Sequence, residues 1–69
     1  MEQTRIKDIK RGDFFTLRDY GDDTTPAARV YVRGDYDRAA RRYWIYKFDD
    51  VNSGRMMDGG RVVYVGFTF

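Results

Sequence analysis

Six residues set out the chemistry this chain can attempt: Tyr31, Arg33, Arg38, Arg41, Arg42 and Tyr43. Guanidinium groups make planar, bidentate contacts with phosphates, and phenol rings stack on bases. Interleaved along the middle of the chain, the two types form a candidate nucleic-acid-binding surface. The choice of cation points the same way, with ten Arg against three Lys. The net charge is only +2, far below that of a dedicated basic arm. Asp35, Asp37, Asp49 and Asp50 flank the basic corner and blunt its potential. A purely structural explanation competes: strands favour Tyr, and scattered Arg keeps a small barrel in solution.

Other chemistries find little support. The chain has no His and no Cys, and its one Glu is Glu2. Zinc sites and most nucleophile–base pairs are thereby removed. Asp22-Asp23 and Asp49-Asp50 offer oxygen donors to a hard cation, but the alternating acidic pattern of an EF-hand is missing. Solvated loop carboxylates are the plainer reading. No enzyme activity, metal or cofactor is expected. The tripeptide Arg-Gly-Asp occurs twice, at 11–13 and 33–35, where a bend at Gly and an Asx-type hydrogen bond from Asp explain it. Met56-Met57 suits a short strand capping a barrel end. No glycine-rich stretch precedes a helix, so no phosphate-cradling loop is present.

The positioning elements read as strands. Phe14 to Arg18 alternates, as do Arg29 to Arg33, Arg42 to Asp49, the short Arg55 to Met57 and the apolar Arg61 to Phe69. In the last, Val63, Val65, Phe67 and Phe69 share one face. Residues 1–4 are expected to fray, and Thr4 to Ile9 to form a short strand or turn. Asp19 to Ala28 is a polar loop holding the only Pro. Gly34 to Arg41 and Asp50 to Gly54 read as turns, and Asp58-Gly59-Gly60 as a tight hairpin loop. Strand 42–49 is ambiguous. Its larger apolar set, Trp44, Tyr46 and Phe48, is placed inward, as are Val30 and Val32, with Tyr31 and Arg33 outward.

Sixty-nine residues make one domain, and a chain this short buries only about 60% of its unfolded surface. Five Phe, six Tyr and one Trp compensate, since each large ring buries roughly 150–250 Å². No stretch reaches the ~18 apolar residues of a membrane span, and the N-terminus lacks a signal-peptide apolar region. A cytoplasmic location is expected, with no membrane partner.

The run Ile6-Lys7-Asp8-Ile9-Lys10-Arg11-Gly12-Asp13-Phe14-Phe15 resembles the opening of small SH3-like barrels, where an apolar-Lys-x-Gly-Asp turn leads into the first long strand. The segments at 30–38 and 62–67 look like a group of short uncharacterised proteins from gut Bacteroidetes and their mobile elements or phages. The resemblance covers nearly the whole chain. It implies a free-standing SH3-like barrel with an accessory or binding role, and it carries over no functional residues. Tyr20, Asp22, Asp23 and Trp44 have the residue types of a Pro-rich-peptide groove, but the adjacent-tyrosine pattern of such domains is absent.

The expectation is an all-β fold: residues 1–69 as a single SH3-like barrel of about five strands. The expected core is Ile6, Ile9, Phe15, Leu17, Val30, Val32, Trp44, Tyr46, Phe48, Val63, Val65 and Phe67. The expected function is a non-catalytic binding module with nucleic acid as partner. The alternative is protein interaction or self-assembly through the C-terminal strand, with Phe69 in a partner's groove.

Overall fold

The computed structural model describes residues 2–21 and 24–67, Val51 by its backbone alone. The chain is all-β. Six strands follow in order: β1 (Glu2–Arg5), β2 (Phe14–Phe15), β3 (Tyr31–Asp37), β4 (Arg42–Lys47), β5 (Asp50–Met57) and β6 (Val62–Val65). Two single 3₁₀ turns, Ile6–Asp8 and Ala27–Arg29, punctuate them. All pairings are antiparallel; β2-β3-β4-β5 form one sheet and β1-β6 the other. Among the described residues no helix is long and apolar enough to cross a membrane.

The sheets meet at one seam, where Thr16 and Tyr64 exchange both backbone hydrogen bonds at 2.9 Å. No ladder joins β5 to β1 among the described residues, so the barrel is open rather than closed. The chain passes from β5 to β6 through Asp58-Gly59-Gly60. Its turn chemistry is as expected: Asp58 accepts from the Gly60 N–H (2.7 Å) through its side chain and from the Arg61 N–H (3.1 Å) through its carbonyl. Yet it joins no hairpin ladder. It carries the chain from one sheet to the other, and β6 pairs with β1 from the far end of the sequence. That pairing orders Glu2 to Thr4, which were expected to fray, together with Arg5. The Ile6 and Lys7 N–H groups then donate to Arg61 and Gly59 carbonyls (3.2 and 3.1 Å), fixing the entry to the turn.

Several strand limits differ from the sequence pattern. The first long strand shrinks to Phe14–Phe15, because Thr16 leaves β3 to bond β6. Strand β3 runs through Gly34 to Asp37, with a register shift between Arg33 and Tyr36. Strand β5 begins at Asp50, where a turn was expected. There the Ser53 hydroxyl accepts from the Lys47 N–H (3.2 Å) and stands in for a ladder bond at a second shift. The two Arg-Gly-Asp tripeptides lie side by side: the Gly12 N–H donates to the Arg33 carbonyl (2.8 Å) and the Arg33 N–H to the Asp13 carbonyl (3.0 Å). Gly12 makes the expected bend at φ +92°. Gly34 makes none; it is a buried strand residue.

The core is Ile6, Phe15, Ile45 and Val63, all without exposed surface, together with Met57; Val30 is also fully buried. Ile9, Leu17, Tyr31, Tyr43 and Val65 pack against this cluster. The face chosen for β4 is therefore reversed. Ile45 points inward; Trp44 and Tyr46 are half-buried on the outer face, and Phe48 is 41% exposed beside Phe14. Val32 also lies on the outer face, opposite Phe14 and Tyr46. Tyr31 and Arg33, expected outward, occupy the core side. Volume explains the reversal. The space between two small sheets takes the compact Ile45, whereas the Tyr46 ring lies between two glycines on neighbouring strands. A Cβ at Gly34 would sit 2.5 Å from Cε2 of Tyr46, and one at Gly54 2.7 Å from Cε1.

Two stability measurements check this arrangement. In urea titrations, Ile45→Ala is expected to cost about 2–5 kcal/mol, while Phe48→Ala, at a residue 41% exposed, should cost clearly less. Equal losses would restore the reversed face. Gly34→Ala, whose Cβ would also meet the Trp44 carbonyl at 3.0 Å, is expected to cost about 1–3 kcal/mol by overpacking. Gly54→Ala meets only side-chain atoms there and should cost less.

Candidate nucleic-acid interface

Five of the six sequence-selected residues gather where β3 turns into β4. Asp37 builds the turn: one carboxylate oxygen accepts from the N–H groups of Ala39 and Ala40, both at 3.0 Å. Arg41 closes it in the left-handed region, φ +56°, a conformation that strains a residue with a Cβ. Arg38, Arg41 and Arg42 are exposed around this turn. Arg33 and Tyr43 stand just behind it and are spent on each other. The Arg33 guanidinium lies 4.4 Å from the centroid of the Tyr43 ring, and its Nη1 donates to the Gly34 carbonyl (3.0 Å). Tyr36 packs on the same ring at 4.8 Å, and Gly59 leaves room for its edge. Both residues are half-buried, and Arg33 Nε is buried without a hydrogen-bond partner. This pair braces the hairpin, which then holds outward three cations that have no ion-pair partner among the described residues.

Tyr31 lies elsewhere, at the start of β3. One side of its ring stacks on Phe15, centroids 5.8 Å apart and planes 23° apart. The Arg55 guanidinium is 5.7 Å from its centroid, more open than the Arg33–Tyr43 stack. Tyr31 is shared by two clefts of about 220 Å³ each. Leu17, Arg18, Tyr20 and Arg29 line one with it; Ile45, Lys47, Ser53 and Arg55 line the other. Four cations thus border a single tyrosine, and no carboxylate lines either cleft among the described residues.

The carboxylates are used differently from the cations. Asp13, Asp19, Asp37, Asp50 and Asp58 each accept backbone N–H groups two or three residues away and so shape turns. The ion pair found among the described residues joins Arg11 to Asp35 at 2.9 Å, both side chains largely exposed. Its hydrogen bond and charge attraction raise the Arg11 pKa further above its ordinary value, although so exposed a pair adds little stability. The Asp22-Asp23 pair lies outside the described residues. Among those described, no group of three or more carboxylates converges on a point.

The C-terminal strand β6 is paired within the molecule. At Tyr64 it is flanked on both sides, by Gln3 of β1 and by Thr16. Phe69 lies outside the described residues. The alternation in the sequence sets Arg18 and Lys47 on the same outward face as Tyr31, Arg33 and Tyr43, but neither is among the six selected residues, and Arg29 and Arg55 are in neither set. Lys47 shares the β4 face of Tyr43 and Ile45 and is the cross-strand neighbour of Tyr31. Nothing local in the sequence brings Arg18 and Arg29 together across the loop. Comparison with protein-family models, curated proteins and solved structures gives no match to this chain.

The strained turn makes a prediction. Arg41→Gly relieves the positive φ and is expected to raise unfolding free energy by about 1 kcal/mol, read from the urea midpoint at unchanged m-value. A lower midpoint would mean that the Arg41 side chain stabilises the turn.

Proposed function

We propose that this chain is a non-catalytic nucleic-acid-binding module that engages its partner through an arginine–tyrosine surface. The observation that carries this reading is the division of labour among charges. Five carboxylates are tied into turns, while the cations Arg38, Arg41 and Arg42 project from a hairpin braced by Arg33 on Tyr43. A surface of exposed guanidinium groups suits a polyanion, because phosphate contacts supply most of the sequence-independent affinity. Tyr31 supplies a ring between further cations, the combination that single-strand platforms use. The modest net charge of +2 is consistent with this, since five of the acidic residues that lower it bond the backbone N–H groups of turns.

The test is a fluorescence anisotropy titration with mixed-sequence DNA and RNA oligonucleotides at several salt concentrations. Binding should weaken as salt rises, with log K falling linearly against log[salt]. The triple variant Arg38→Ala/Arg41→Ala/Arg42→Ala should flatten that slope by about 0.7 for each single-strand phosphate contact it loses. Absence of binding at low salt, or binding indifferent to salt, overturns the reading.

A further inference from the structure

The hairpin arginines explain attraction to phosphate, but they leave Tyr31 and its surroundings unexplained. Tyr31 forms the shared wall of two clefts. Arg18 and Arg29 stand at one, Lys47 and Arg55 at the other. The two clefts, joined through Tyr31, make up a trough lined by four cations and this one shared ring. None of these four cations has a carboxylate partner among the described residues. Four like charges around one ring repel one another, and such an arrangement is relieved by an anionic ligand.

We infer that this trough is a second binding site, separate from the hairpin, and that it takes single-stranded nucleic acid with an unpaired base against Tyr31 and flanking phosphates on the Arg18/Arg29 and Lys47/Arg55 sides. The inference rests on the proposed nucleic-acid-binding function and adds the strand state of the ligand and the residues that read it.

Three features select this ligand. Tyr31 is backed by Phe15 at 5.8 Å in a near-parallel stack, so its plane is held before any ligand arrives. Its contact with Arg55 is loose at 5.7 Å, whereas Arg33 closes on Tyr43 at 4.4 Å. Only the first leaves a guanidinium free to swing aside and a ring to receive a partner. Finally, the ring is half-buried between clefts of about 220 Å³. A duplex keeps its bases paired and stacked inside and cannot lower one to that depth, whereas a single strand can. An acidic peptide would satisfy the four cations but has no use for the ring.

The experiment compares four labelled probes by anisotropy with the full chain: an oligothymidine, a duplex of equal length, an abasic phosphate chain of equal length and an oligoglutamate peptide. Oligothymidine should bind at least about five-fold tighter than the abasic chain, the least expected from one stacked base. Tyr31→Phe should keep that advantage and Tyr31→Leu remove it. Arg18→Ala/Arg29→Ala and Lys47→Ala/Arg55→Ala, all at solvent-accessible positions, should each weaken oligothymidine binding while circular dichroism stays unchanged. Equal affinity for the abasic chain, or tighter binding of the duplex or the peptide, overturns the inference. So does wild-type binding by both trough variants; if the hairpin triple variant then loses binding, the proposed function stands and only the trough falls. Failure of every nucleic acid to bind at low salt removes both.

Discussion

Ile45 is held without exposed surface between Phe15, Met57, Val63 and Ile6, and that contact governs the surface of the whole molecule. Side chains alternate across a strand, so fixing one residue of β4 fixes its neighbours. With Ile45 inward, Tyr43 and Lys47 share its side, and through cross-strand pairing so do Tyr31, Arg33 and Arg55. Trp44 and Tyr46 are sent to the opposite face. A slip of one residue would exchange the two sets and dissolve both the Arg33–Tyr43 stack and the trough at Tyr31.

The outer face tolerates two large aromatic residues because Gly34 and Gly54 stand on either side of Tyr46. Neither glycine has a positive φ, so neither is there for a turn. Glycine inside a strand costs roughly 0.5–1 kcal/mol relative to alanine. Covering the bare backbone with a tyrosine ring offsets some of that cost. The Phe14–Phe48 contact extends the same aromatic surface to the sheet's β2 side. Thus the inward choice of Ile45 and the outward seating of Tyr46 are two sides of one packing solution, in a chain too short to place every ring in a core.

Economy also shapes the charges. With so little buried volume, the turns must hold by local hydrogen bonds, and Asp is the residue that makes them. Five of the eleven acidic residues, Asp13, Asp19, Asp37, Asp50 and Asp58, are used in this way. The hairpin shows the same logic under strain. Asp37 secures two N–H groups so that Arg41 can occupy a left-handed conformation and Arg38, Arg41 and Arg42 can face solvent. A residue held in a costly conformation at a cationic tip is where a functional demand is most visible.

Much of this was legible in the chain itself. Alternating apolar residues marked an all-β protein, and Gly12, Asp58 and Gly60 marked turns that form as their chemistry requires. Val63 and Phe15 were recognisable as core. The arginine and tyrosine content named the class of ligand to consider. What the sequence could not settle were matters of partner choice and volume. Whether β6 pairs with β5 or with β1 depends on long-range closure, and a local Asp-Gly-Gly signal is silent on it. Whether Ile45 or the Trp44–Tyr46 set turns inward depends on the width between the sheets and on glycines that are distant in sequence. The gathering of Arg18, Arg29, Lys47 and Arg55 around Tyr31 follows from both, because residues on different strands and across a loop become neighbours only when the sheets curve together.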